Sequence, residues 1–174
     1  QRPVIDTITL EQQVKGVLNV VKQDGDKAVL QFTRQFDGVQ LTTVEVTDGE
    51  IDEAIKEVSD DLKRAIKQAA HNIRVFHEKQ KGGIEVVETM PGVRCWRKSV
   101  GIERVGLYIP GGSAPLFSTI LMLGIPAKIA GCKNIILCTP PNEKGEIDPA
   151  IIYAASLVGV TAIFTIGGVQ AIGA

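Results

Sequence analysis

Apolar residues recur at helical spacing through the first third of the chain. Val14, Val17, Leu18 and Val21 share one face of a helix ending near Asp24-Gly25, with Thr9 and Gln12 placed as its capping box. A second short helix follows, with Asp26 as its cap, Val29, Phe32 and Phe36 as its apolar side and Asp37-Gly38 as its close. Val44 and Val46 predict a brief extended piece. Thr47 with Glu50 repeats the capping box, Ile51, Ile55 and Val58 continue at helical spacing, and Ser59 restarts the pattern. Leu62, Ile66, Ala69, Ile73 and Phe76 then make a long apolar stripe that Gly82-Gly83 stops.

Beyond this helical segment the texture changes to strand, over residues 84–88, a Pro91-Gly92 turn, 93–97 and 104–108. A domain boundary is expected near Glu103. The second part reads as strand (105–109), a Pro-Gly-Gly turn, an apolar helix (114–130) and Gly131. A strand (134–138), a Pro140-Pro141 loop and a helix capped by Asp148 with Pro149 in its first position come next. Gly159, a strand (161–166) and Gly167-Gly168 complete the series. Strands alternating with helices of this length predict a parallel sheet covered on both faces and joined by right-handed crossovers. The helix after Pro110 is apolar on nearly every side and should lie against both the sheet and another layer. Residues 169–174 read as the first turn of a further helix. A sheet left there would have its newest strand uncovered, so the chain is expected to be part of a longer polypeptide.

Hydrophobic residues make up 44% of the 174 positions, enough for a real core, so disorder is not expected. With 19 basic against 20 acidic residues and no block of like charge, neither nucleic acid nor an anionic membrane is favoured as partner. Three cysteines, Cys95, Cys132 and Cys138, with no C-x-x-C spacing argue against a disulfide framework or a zinc knuckle and fit a reducing cytoplasm. The apolar stretch 114–130 is interrupted by Ser118, Thr119, Gly124, Pro126 and Lys128, which suits a buried helix rather than a membrane span.

Ligands of an open parallel sheet bind beyond the carboxyl ends of its strands. Three turns gather there: residues 108–113, 139–142 and 167–170. Their adjacent glycines allow backbone amides to approach a phosphate or a planar ring, and equally fit plain tight turns; the dinucleotide fingerprint G-x-G-x-x-G is absent. Tyr108, at a strand end, can stack on a base or nicotinamide ring, or be a core-edge tyrosine with one hydrogen-bond partner. Gln170 follows a Gly-Gly turn, where its amide can donate and accept toward a ligand, or cap the helix. Cys138 has no base near it in sequence and is disfavoured as a nucleophile. His71 and His77 fall about 120° apart in helical projection and cannot ligate one metal from one face.

Residues 103–131, ERVGLYIPGGSAPLFSTILMLGIPAKIAG, together with PGVRCWRK at 91–98, FHEKQK at 76–81 and GGVQAIGA at 167–174, resemble the L-histidinol dehydrogenase family, whose form of the last motif is typically GGAQAIAA. The resemblance spans essentially the whole chain. It implies an α/β fold in which a helical N-terminal segment precedes an incomplete Rossmann-like parallel α/β/α layer of aldehyde-dehydrogenase type. Residues 1–103 would hold the helical segment and strands of a first α/β domain, and 104–174 the start of an NAD-binding one.

The implied activity is a zinc- and NAD-dependent, two-step oxidation of L-histidinol to L-histidine via histidinal, in a cytoplasmic homodimer. The resemblance carries two cofactor contacts onto this sequence, Tyr108 of LYIPGG and Gln170 of GG-x-Q-A-I, with Pro110 a weaker third. The family's zinc ligands, its catalytic Glu-His pair and most substrate contacts match no position here, so this stretch alone is expected to be inactive. Val169 and Gly173 stand where the family commonly has alanine; neither change removes a contact. A nucleotide-binding or interaction module without catalysis is the alternative. An aldehyde dehydrogenase using Cys138 is disfavoured by the missing base.

Overall fold

The computed structural model describes residues 7–112 and 115–174. Ser113 and Ala114, which the sequence places in the first glycine turn and at the start of its helix, lie outside the described residues. Four helices come first, α1 (Thr7–Asp24), α2 (Asp26–Asp37), α3 (Asp48–Glu57) and α4 (Asp60–Glu78). A hairpin of β1 (Val86–Met90) and β2 (Val93–Trp96) follows, turning at Gly92 with φ 82°. Then β3 (Arg104–Tyr108), α5 (Phe117–Ala130), β4 (Asn134–Thr139), α6 (Pro149–Val158), β5 (Ala162–Thr165) and α7 (Gly168–Gly173) complete the chain.

The helix starts follow local chemistry, with two exceptions. Thr9 lies inside α1, which already includes Thr7, so it is not a cap. Asp26 is the first residue of α2 rather than its cap; Gly25 holds that place at φ 55°, a left-handed conformation in which aspartate is strained. Ser59 caps α4 through Leu62 N at 3.3 Å, and Asp148 caps α6 through Ala150 N at 2.8 Å with Pro149 behind it. The α4 stripe ends at Glu78, before Gly82-Gly83, because Lys79 closes it onto the His77 carbonyl.

The capping box at Thr47 is complete. Thr47 Oγ1 accepts from Glu50 N at 3.3 Å, while the Glu50 carboxylate accepts from Thr47 N at 2.8 Å and from Thr47 Oγ1 at 2.7 Å. These bonds hold the Glu50 carboxyl below its ordinary range. Thr47→Ala should therefore cost about 1 kcal/mol in denaturant unfolding. Since the folded carboxyl is the stronger acid, its contribution is present above the ordinary glutamate range and fades as pH falls through the lowered value. Glu50→Gln should remove that pH-dependent part, and an unchanged acid limb in Glu50→Gln would contradict it.

The central sheet is parallel in the order β3-β4-β5, with Tyr108 beside Cys138 and Thr139 beside Thr165. Alternation sorts its faces. Leu107, Ile135, Leu137 and Ile163 point to one side and are buried under α5 and α6, over which α3 and α4 form a further layer. Leu121 and Ile125 of α5 are fully buried, as expected for a helix apolar all round, though Met122 and Leu123 remain exposed. Tyr108, Ile136, Cys138 and Phe164 point to the other side, where Val29 and Phe32 of α2 and Val21 of α1 form a second cluster with Ile166.

The expectation that the last strand stays uncovered is corrected. Residues 44–46 run antiparallel along β5, with Thr165 N donating to Val44 O at 2.7 Å and Val46 N to Ile163 O at 2.9 Å. The short extended piece between α2 and α3 satisfies that edge, and α7 packs on α1 and α2. The sequence pattern names the piece but not its pairing, which is long-range.

Candidate functional site

The three turns at the carboxyl ends of the strands meet at Pro140. A methyl group built on Gly111 would stand 2.8 Å from Pro140 Cγ, and one on Gly167 would stand 2.6 Å from Pro140 Cβ. Glycine at both positions is what lets the first and third turns close on the second. The seam needs no positive φ at Gly167, whose φ is −118°; it needs the missing side chain. In sequence, Pro140-Pro141 reads only as a loop, and nothing local signals that both glycines pack on it.

Tyr108 ends β3 on the less covered face of the sheet. Its hydroxyl accepts a hydrogen bond from Gly168 N at 3.1 Å, tying the first turn to the third across 60 residues. The phenolic proton is left uncommitted by this bond. The ring lines an apolar groove of about 420 Å³ with Gly106, Ile136, Cys138 and Phe164 as floor and Ala171 and Ile172 as wall.

Gln170, in the first turn of α7, is fully buried, and neither its Oε1 nor its Nε2 has a hydrogen-bond partner. Its carboxamide lies against Gly168, where a Cβ would come within 2.8 Å of Oε1; Gly168 itself is exposed, with φ 60°. Tyr108 thus binds the N–H of Gly168, and the Gln170 carboxamide lies where a side chain at that position would stand. Thr33, Asp37 and Tyr153 each leave one buried oxygen without a partner, on α2 and α6; Gln170 leaves two polar atoms, at the strand ends. A buried amide without partners typically costs about 1–3 kcal/mol, so the arrangement is held against a penalty.

Pro110 is not brought together with these two. It is exposed and lines a smaller cleft of about 190 Å³ with Gly111, Gly112, Pro140 and the Asp148 cap. The Pro140 seam belongs to that cleft, and Tyr108 to the groove.

The other candidate groups stand apart from the turns. Cys138 is half-buried in the groove, and burial pushes its thiol up from the ordinary value, so it is protonated at neutral pH and a poor nucleophile. His77 Nδ1 lies 2.8 Å from Gln80 Oε1 at the end of α4, and His71 is exposed on the same helix. Among the described residues no group of three or more His, Cys, Asp or Glu is placed to hold a metal ion. No described helix is long and apolar enough to cross a membrane.

A family model described as histidinol dehydrogenase matches residues 1–174. The histidinol dehydrogenase of Bacteroides thetaiotaomicron is 55% identical over 174 residues, covering 100% of this chain and 41% of its own length. That of Yersinia pestis is 48% identical, covering 99% and 38%. A crystal structure of histidinol dehydrogenase from Elizabethkingia anophelis superposes with a TM-score of 0.94 at 53% identity, over 99% of this chain and 40% of that one. The chain therefore spans about two-fifths of the length of the relatives it matches.

Proposed function

The chain belongs to the histidinol dehydrogenase family, and from that premise we propose that it supplies part of the NAD site of an enzyme that oxidises L-histidinol to L-histidine via histidinal. In this proposal the whole enzyme is a cytoplasmic, zinc-dependent homodimer of aldehyde-dehydrogenase-like architecture, and the NAD-binding unit begins at residue 104. Tyr108 and Gln170 are the cofactor contacts, with Pro110, in the neighbouring cleft, a weaker third. The observation that carries the reading is the Gln170 carboxamide, buried and without partners beside an exposed glycine.

The residues fit the carboxamide and hydroxyl groups of such a cofactor. Gln170 offers one donor and one acceptor to a group that reaches Gly168, as a neutral amide or ribose would require. Tyr108 offers an aromatic face in an apolar groove and a proton not used in its bond to Gly168. When bound, NAD+ supplies the hydride acceptor for each oxidation step. No described cluster fits zinc, so no part of the chemistry on this chain is assigned to it.

Steady-state kinetics of the full-length enzyme test this. Tyr108→Ala should raise the apparent constant for NAD+ roughly several-fold to tenfold, from loss of a stacking surface and a hydrogen bond, and Tyr108→Phe by less. The constant for histidinol and the turnover at saturating NAD+ should change little. An unchanged NAD+ constant with a collapsed turnover would mean that Tyr108 does something other than hold the cofactor.

A further inference from the structure

A second cavity, of about 550 Å³, shares no lining residue with the groove of Tyr108 and lies between the end of α4, the segment after β2 and the C-terminal end of α5. His77, Lys81, Arg97 and Lys98 line it, and no aspartate or glutamate does. The ion pairs among the described residues join Lys15 to Glu11, Lys56 to Glu53 and Arg64 to Asp61, so none of Lys81, Arg97 and Lys98 is neutralised by one. Ser99 adds a hydroxyl. The amides of Gly82 and Gly83 make no backbone hydrogen bond among the described residues. Pro126 and Ile129 give the cavity an apolar wall, while Lys81, Arg97 and Lys98 are solvent-exposed.

The cavity is fixed by close backbone packing. A Cβ on Gly101 would lie 2.5 Å from the Ala130 carbonyl oxygen and 2.8 Å from the Gly131 carbonyl carbon, so the segment bearing Arg97 and Lys98 is pinned directly against the end of α5. The negative poles of α4 and α5 both open on the cavity, each worth about half a unit charge, and Lys81, Arg97 and Lys98 together outweigh them. Like charges gathered from separate elements around one concavity raise the local concentration of anions there.

We propose that this cavity is a binding site for a small multivalent oxyanion of the phosphate or pyrophosphate class. A single carboxylate would leave the three permanent cations largely uncompensated, whereas a phosphate group offers several acceptor oxygens to Arg97, Lys98, Lys81 and the free amides at once. The site is distinct from the three turns and independent of the cofactor reading.

Calorimetric titration of inorganic pyrophosphate into the full-length protein tests it. One saturable site per chain is expected, weakening as salt rises, and surviving in the presence of saturating NAD+. The double substitution Arg97→Gln, Lys98→Gln should weaken it roughly tenfold or more, and Lys81→Gln, on a different element, roughly several-fold. Binding that fails to saturate, that is displaced by NAD+, or that is the same in wild type and all these variants would overturn the proposal.

Discussion

Alanine at Gly111 and alanine at Gly167 should each destabilise the chain by about 1–3 kcal/mol, and Pro140→Ala should relieve the first but not the second. The difference follows from which atoms collide. A methyl group at position 111 meets Pro140 Cγ at 2.8 Å but its Cβ only at 3.7 Å, an ordinary contact. At position 167 it meets Pro140 Cβ at 2.6 Å and Cα at 3.3 Å. Alanine at 140 lacks Cγ and keeps Cβ and Cα, so it opens space for the first methyl alone. A ring atom of proline cannot rotate away as the end of a flexible side chain could. Denaturant unfolding of the single and paired variants gives the coupling energies, expected at about 0.5–3 kcal/mol for the 111–140 pair and near zero for 167–140. Equal rescue of both glycine variants would contradict this assignment of the colliding atoms, and rescue of neither would mean that the first turn does not close on the Pro140 ring.

Much of the fold is legible in the sequence because it is written in local periodicity. The βαβαβ order from Arg104, the caps at Thr47, Ser59 and Asp148, and the extended piece at Val44 and Val46 all rest on residues within one helical turn or one strand. The misread starts at Thr9 and Asp26 fail for a local reason too: serviceable cap residues stand one or more positions inside helices whose entry is set elsewhere, by Gly25 in the second case. What periodicity does not carry is pairing across distance. Residues 44–46 on β5, Gly111 and Gly167 on Pro140, and the Tyr108 hydroxyl on Gly168 N each join positions that nothing nearby connects. Tyr108 and Gln170 could be picked out as candidates from their places at strand ends. That both adjoin Gly168, that Gln170 is wholly buried without partners, and that Pro110 faces a different cleft required the three-dimensional arrangement.

Gln170→Met should stabilise the ligand-free protein by about 1–3 kcal/mol, because an unbranched apolar side chain of similar length replaces an amide whose two polar atoms have no partner. A residue kept only for packing would show the opposite sign. If the amide is held ready for NAD+, the same substitution should weaken the cofactor roughly tenfold, the equivalent of one or two lost hydrogen bonds. The two effects separate cleanly in thermal unfolding of the full-length protein with and without NAD+, since a ligand that binds only the folded state raises its stability in proportion to the logarithm of its occupancy ratio. Compared with wild type, Gln170→Met is expected to unfold at a higher temperature without NAD+ and to gain less from a fixed NAD+ concentration. A variant that is less stable without ligand and gains as much from NAD+ as wild type would contradict it.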